Sequence, residues 1–281
     1  MHIKEFTGHS GCKLNLYQKN NLFFLRKDAG TKAYNNRLKR QYIKQKLFKI
    51  DKIKTPSVLG YGYDNGVFYF DMEFINGITM DKYMNQIKIK EIVDLIGVLF
   101  DSFKMNQSHI MQTTQSLFQR KIDSLSYLGR SGNPIRNAAL LKLKKFDFQS
   151  VPISPCCGDL TLENIILSSS GIYVIDLLDS FCNSWMVDMA KLLQDIDLGW
   201  SYRFQKRDYN LNLRLATAKQ ALLDNLYSME NGFQNVVTIY HILLLNILRI
   251  YPYTNDEATL KFLDEACRQV LTTIKKMEHS K

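Results

Sequence analysis

The sequence predicts an α+β chain: a small β-rich N-terminal lobe with one helix, then a large, mostly helical C-terminal lobe. Three observations lead there. Up to about residue 75 the apolar residues come in short alternating or continuous runs rich in β-branched and aromatic side chains. After Asn76-Gly77 the period becomes helical, as in Ile92, Leu95, Ile96, Leu99, Phe100 and Phe103. Residues 150–180 then interrupt the helices with two short strand-like runs. The expected lobes are 1–76 and 77–281.

In chain order, "KLNLYQ" (13–18) alternates, and "NLFFLRK" (21–27) is an apolar run that begins within the Asn20-Asn21 turn signal. Lys32–Lys49 reads as a helix whose inward stripe is Tyr34, Leu38, Gln41, Gln45 and Phe48. Two glutamines thus occupy a face that should be apolar. "GVFYFDMEF" (66–74) has strand composition. Beyond it, helices are expected at 114–128, 136–146, 185–198, 211–228, 235–250 and 256–277. The interruption is "NIIL" and "IYVI" around a Ser-Ser-Ser-Gly turn.

Composition narrows the class. The chain has 281 residues, 46% hydrophobic and 23% charged, ordinary values for a water-soluble globular protein. No N-terminal apolar stretch suggests a secretory signal. The apolar run Val236–Leu248 is too short to span a membrane and is broken by Thr238, His241 and Asn246, so a buried helix is expected. Five cysteines (Cys12, Cys156, Cys157, Cys182, Cys267) show neither framework nor CxxC spacing, which argues for reduced thiols in a cytoplasmic protein. The net charge of +10 is concentrated: Arg26 to Lys54 holds eleven Lys and Arg against Asp28 and Asp51. Such a block either meets a polyanion or forms a solvated helix face; the second is the simpler expectation, and nucleic acid is not the expected partner.

The chemistry concentrates in 155–180. Asp159 and Asn164 frame "DLTLEN", and Asp176 ends the next strand, "YVID". This is the D-x-x-x-x-N, strand, Asp spacing of protein-kinase catalytic segments. Phosphoryl transfer needs a carboxylate to orient an attacking hydroxyl and accept its proton, and oxygen ligands to hold Mg2+ on the nucleotide phosphates. Asp159 suits the first task, and Asn164 and Asp176 the second. Each residue alone would more often be a turn or capping residue; the joint spacing carries the reading.

The runs "CGDLTLENIIL", "IYVIDLLDS" and "WMVDMAKLL" resemble the aminoglycoside phosphotransferase and choline kinase group, the small-molecule branch of the protein-kinase-like fold. That group reads His-Gly-Asp-x-x-x-x-Asn, then Ile-Asp, then Asp-(Leu, Ile or Met)-Ala at a helix start, here Asp188-Met189-Ala190. With its glycine loop, the chain looks most like bacterial members linked with surface-polysaccharide biosynthesis. The resemblance implies a bilobal protein-kinase-like fold and an ATP- and Mg2+-dependent kinase, with GTP as the alternative nucleotide. The acceptor would be a hydroxyl of a small molecule: a sugar, polyol or amino alcohol. It also implies that Asp188 braces the catalytic loop.

The N-terminal lobe is compatible with that. "FTGHSGCKLNL" supplies Gly8, His9, Ser10 and Gly11 as a turn whose backbone N–H groups could meet phosphates. Lys27 ends the next strand in the place of a nucleotide lysine, with Arg26 expected on the opposite face. "FDMEFINGI" resembles a hinge strand, with Glu73 to Ile75 offering backbone groups to adenine.

Three departures stand out. The group's loop His is Cys157, read as a compact substitute in a loop brace and not as a nucleophile, since no base lies near in sequence. No Glu occurs from residue 6 to 72 to pair with Lys27; Gln41 and Gln45 are the available replacements. No Ala-Pro-Glu segment follows Asp176, which argues against a protein substrate. For the acceptor, "QDIDLGWSYR" is the expected wall, through Asp195, Asp197, Trp200 and Tyr202. The rival function is a pseudokinase that docks on a polyanion or a partner through the basic helix 32–49.

Overall fold

The computed structural model describes residues 2–6, 12–104 and 114–279. The chain forms two compact units: Met1–Thr79 with Asn164–Asp179, and Met80–Glu163 with Ser180–Lys281.

The strands of the first unit are β1 (His2–Phe6), β2 (Lys13–Lys19), β3 (Leu22–Asp28), β4 (Ile53–Lys54), β5 (Val58–Asp64), β6 (Val67–Glu73), β7 (Ile78–Thr79), β8 (Ile165–Ser168) and β9 (Gly171–Val174). Its helix is α1 (Asn35–Leu47). Among the described residues, one antiparallel sheet runs β1-β2-β3-β6-β5 and a second runs β4-β9-β8-β7. Two hairpins set the first register. Asn20 and Asn21 both have positive φ and join Lys19 to Leu22; Asn65 and Gly66 do the same between Asp64 and Val67. Both are two-residue turns with left-handed central residues, whose twist matches that of the strands. Strand β5 escapes the sequence reading because Gly60 and Gly62 dilute its pattern.

Strand β6 alternates inward Phe68, Phe70 and Met72, which pack with Leu38 of α1, Ala29 and Cys12. The inward face of α1 is Leu38, Gln41 and Gln45, as the stripe predicts at its centre. On the outward face of the sheet, Arg26 pairs with Asp71 directly across from it, through contacts of 2.7 and 2.8 Å. Its guanidinium lies 3.7 Å from the Tyr69 ring centroid. The basic run is only partly a solvated face. Arg40 binds Asp179 at 2.5 Å, and Lys44 donates to the Leu178 carbonyl at 2.6 Å.

The second unit is built on α2 (Met80–Tyr83), α3 (Ile89–Lys104), α4 (Thr114–Ser124), α5 (Pro134–Lys145), α6 (Trp185–Ile196), α7 (Tyr209–Tyr227), α8 (Gly232–Leu248) and α9 (Glu257–His279). Side-chain caps mark the starts of several helices: Asn133 before α5, Ser184 before α6, Asp208 before α7 and Asp256 before α9. Helix α8 packs on α6, α7 and α9, and α3 packs on α7 and α6. Every residue from Val236 to Leu248 is buried, so this apolar run is a core helix, as expected. All five cysteines are buried thiols.

Leu244 lies fully buried in the middle of α8. Leu244→Ala should destabilise the protein by roughly 2–5 kcal/mol, through lost burial and a residual cavity. A urea titration that moved by less than about 1 kcal/mol would show that α8 is not the core element described here.

Candidate active site

In the second unit, residues 157–162 form a loop without strand or helix partners. The Thr161 N–H bonds the Asp159 carbonyl at 2.8 Å within the loop; the N–H groups of Cys157, Gly158 and Leu162 need acceptors from outside it, and α6 supplies them. Asp188, fully buried, accepts from the Cys157 N–H at 2.7 Å and the Gly158 N–H at 2.8 Å. Gly158 has φ of +83°, a conformation that glycine adopts without strain, and it turns the chain into Asp159. Lys191, one turn beyond Asp188, binds the Asp159 carboxylate at 3.0 Å. Asp195, one turn further, accepts from the Leu162 N–H at 2.6 Å. Asp188, Lys191 and Asp195 therefore share one face of α6, at the three- and four-residue spacing of a helix, and meet the loop in sequence order. Cys157 is buried in this loop.

Lys191 was missed by the sequence reading. The signal was present: it stands three residues after Asp188, so any helix that aims Asp188 at the loop aims Lys191 there too.

The acceptor wall needs correction. Asp195 is fully buried and also accepts from the Ser201 N–H at 2.6 Å; burial pushes its pKa up to about 6. Asp197 is bound by Lys219 (2.8 Å), the Tyr240 hydroxyl (2.9 Å) and Gln269 (3.1 Å). The buried Tyr202 donates its hydroxyl to the Asp81 carbonyl at 2.7 Å. These three side chains are committed to internal bonds. Trp200, partly exposed, carries the Arg203 guanidinium 4.0 Å from its ring centroid. The sequence showed polar residues at helical spacing and could not show that the segment turns inward.

In the first unit, Lys27 is buried on β3, opposite Leu14 and Phe70. Its ammonium lies 2.5 Å from the Asp176 carboxylate. Asp176 follows β9 with φ of +53°, an uncommon backbone state for a non-glycine residue. The Asn164 carbonyl accepts from the Ile175 N–H at 3.0 Å, which sets Asn164 and Asp176 at adjoining ends of β8 and β9. The expected amide partner of Lys27 is not observed. The Gln45 amide donates to the Pro56 carbonyl at 2.8 Å, and neither amide atom of Gln41 has a partner among the described residues. A carboxylate is the stronger partner for a buried ammonium, because it neutralises it. The Glu73 N–H is already bonded to the Ser57 carbonyl at 2.9 Å, and Ile75 is buried. Gly8, His9, Ser10 and Gly11 lie outside the described residues.

The residues present suit Mg2+. Asp176 and Asn164 are hard oxygen donors at neighbouring strand ends, and Mg2+ takes one or two such ligands together with substrate phosphates. Among the described residues no cluster of three His, Cys, Asp or Glu side chains could hold a metal on its own.

Two outcomes test the α6 brace. Asp188→Ala orphans two buried N–H groups and should cost roughly 1–3 kcal/mol for each; a denaturation midpoint equal to wild type would refute the brace. Asp195 holds its proton more tightly folded than unfolded. Its contribution to stability is therefore full below pH 4 and declines as the pH rises from about 4 through 6. Comparing wild type with Asp195→Asn by denaturation across pH 4–7 should show that decline in wild type only.

No family model and no curated protein matches the sequence. Solved structures do. A thermostable mutant of the aminoglycoside phosphotransferase APH(4)-Ia, in complex with ADP and hygromycin B, aligns with a TM-score of 0.62 at 10% identity, over 96% of this chain and 92% of its own. The choline kinase of Streptococcus pneumoniae aligns at 0.52 and 17% identity, over 92% and 90%. A Haemophilus somnus protein with a provisional fructosamine-3-kinase assignment aligns at 0.55 and 15%, over 95% and 90%. With buried carboxylates bracing the 157–162 loop and Lys27 meeting Asp176 after β9, the chain has the protein-kinase-like fold of these enzymes.

Proposed function

We propose that this protein is an ATP- and Mg2+-dependent kinase that phosphorylates a hydroxyl of a small molecule. One observation carries the reading: Lys27 and Asp176, 149 positions apart in sequence, converge to 2.5 Å within one unit. A cation for phosphates and a carboxylate for their metal are what a nucleotide triphosphate requires side by side. The fold shared with ADP-bound and choline-directed enzymes supports it, as does the D-x-x-x-x-N spacing of Asp159 and Asn164.

In this reading residues 1–76 serve the nucleotide and 77–281 serve catalysis and the acceptor. Asp159 receives a hydrogen bond from the acceptor hydroxyl. As that oxygen bonds to the γ-phosphorus and the bond from phosphorus to the β,γ-bridging oxygen breaks, Asp159 takes the hydroxyl proton. Lys191 fixes the direction of the Asp159 carboxylate. Lys27 holds nucleotide phosphate oxygens, and Asn164 and Asp176 hold Mg2+, which supplies positive charge against the phosphates. Gly8 to Gly11 add backbone donors. The rival docking role for α1 is weakened because Arg40 and Lys44 are spent on residues 178–179.

The test is transfer from ATP or GTP to a panel of sugars, polyols and amino alcohols, read by product mass. Asp159→Ala should lower kcat by roughly 100- to 10,000-fold. Asp176→Ala and Asn164→Ala should remove the Mg2+ dependence together with the activity, and Lys27→Ala should raise the KM for nucleotide. Product formation that survives Asp159→Ala would end this reading, as would nucleotide binding indifferent to Mg2+ with no acceptor phosphorylated.

A further inference from the structure

Gln41 sits on the buried face of α1, 2% exposed, with neither amide atom bonded among the described residues. Such an amide costs stability, because both atoms have given up water. Its neighbours along the helix show where it points. Asn35, at the start of α1, accepts from the Phe68 N–H at 2.8 Å. The Gln45 amide, near the other end, lies 3.5 Å from the Met72 sulfur. The helix from Asn35 to Gln45 and the strand from Phe68 to Met72 each cover roughly 13–15 Å, so α1 runs in step along β6. Gln41 is then level with the stretch from Phe70 to Met72.

The helical period fixes the sideways direction. Leu38 and Gln45 are two turns apart and point almost the same way, onto β6. Gln41 and Tyr42 diverge from that line to opposite sides, by about 50° each. Tyr42 leans towards β5, where its ring centroid is 4.9 Å from that of Tyr61. Gln41 therefore leans towards β3, since β6 lies between β3 and β5. The β3 residue paired with Phe70 is Lys27, on the same face of the sheet. Further round the helix on that side, Lys44 and Arg40 hold Leu178 and Asp179, just after the Asp176 that holds Lys27.

We infer that Gln41 is a second partner for Lys27, taken up when Asp176 turns to nucleotide-bound Mg2+. The inference rests on the phosphotransferase reading. There Asp176, now 2.5 Å from the Lys27 ammonium, is also a metal ligand, and a carboxylate drawn to a divalent cation offers less charge to an ammonium. Lys27 is 8% exposed, so water does not replace what it loses. Its three N–H donors can serve phosphate oxygens and the Gln41 carbonyl oxygen together. A neutral amide suits this exchange. It does not compete with Asp176 before nucleotide binds, and it leaves the charge of Lys27 to the phosphates. Gln41 is thus a positioning residue that acts through Lys27.

Calorimetry of ATP binding, with Mg2+ and in EDTA, and urea denaturation without nucleotide test this on the full chain. Gln41→Met, close in shape, removes an unpartnered amide. It should raise the denaturation midpoint yet weaken Mg2+-dependent ATP binding roughly 10- to 100-fold. The loss should nearly vanish in EDTA. Gln41→Glu restores an acceptor and should recover most of the affinity. Gln45→Met loses its formed bond to Pro56 and should lower the midpoint with ATP affinity unchanged. A merely structural Gln41 would move midpoint and affinity down together, and that result overturns the inference. So do wild-type affinity in Gln41→Met, an equal loss in EDTA, or an equal loss in Gln45→Met; each leaves the kinase reading standing. A wild type that binds no ATP, or binds it equally with and without Mg2+, ends that reading and the inference with it.

Discussion

One face of one buried helix holds the 157–162 loop in place. Asp188, Lys191 and Asp195 are spaced three and four residues apart on α6, and each meets the next part of the loop in turn. Among the described residues only the Thr161 N–H is satisfied within the loop, by the Asp159 carbonyl at 2.8 Å, and unpaired donors in a buried setting cost more than the net gain of an ordinary hydrogen bond. Two carboxylates solve that, and an ammonium between them aims Asp159. Helix α6 presents these charges inward while the rest of it, Gln194 apart, is apolar and enclosed, with α8 as its main neighbour.

The first unit solves a different problem. Its buried Lys27 has no glutamate on α1, where kinases usually keep one for the corresponding lysine. Asp176 takes the place of that partner, held at φ of +53° after β9. The two glutamines on the inward face of α1 are then released from charge neutralisation. Gln45 ties α1 to the Pro56 carbonyl, and Gln41 is buried without a bond among the described residues.

The helical unit sorts its polar residues by burial. The acids expected at the acceptor, Asp195 and Asp197, turn inward and brace backbone and side chains.

Local chemistry was legible in the sequence. Hydrophobic period located most strands and helices, Asn20-Asn21 marked a hairpin, and the spacing of Asp159, Asn164, Asp176 and Asp188 pointed to the kinase-like fold, because these signals depend on neighbours a few residues away. Strand β5 stayed hidden because two glycines weaken an edge strand that pairing with β6 alone defines. The partners of Lys27 and Asp159, the inward turn of Asp195 and Asp197, and the grouping of residues 164–179 with the N-terminal strands were decided only by tertiary structure. Each joins residues separated by tens of positions or more. A side chain's partner is chosen by burial and by which groups the fold brings within hydrogen-bond reach, and neither is written in residue type or spacing.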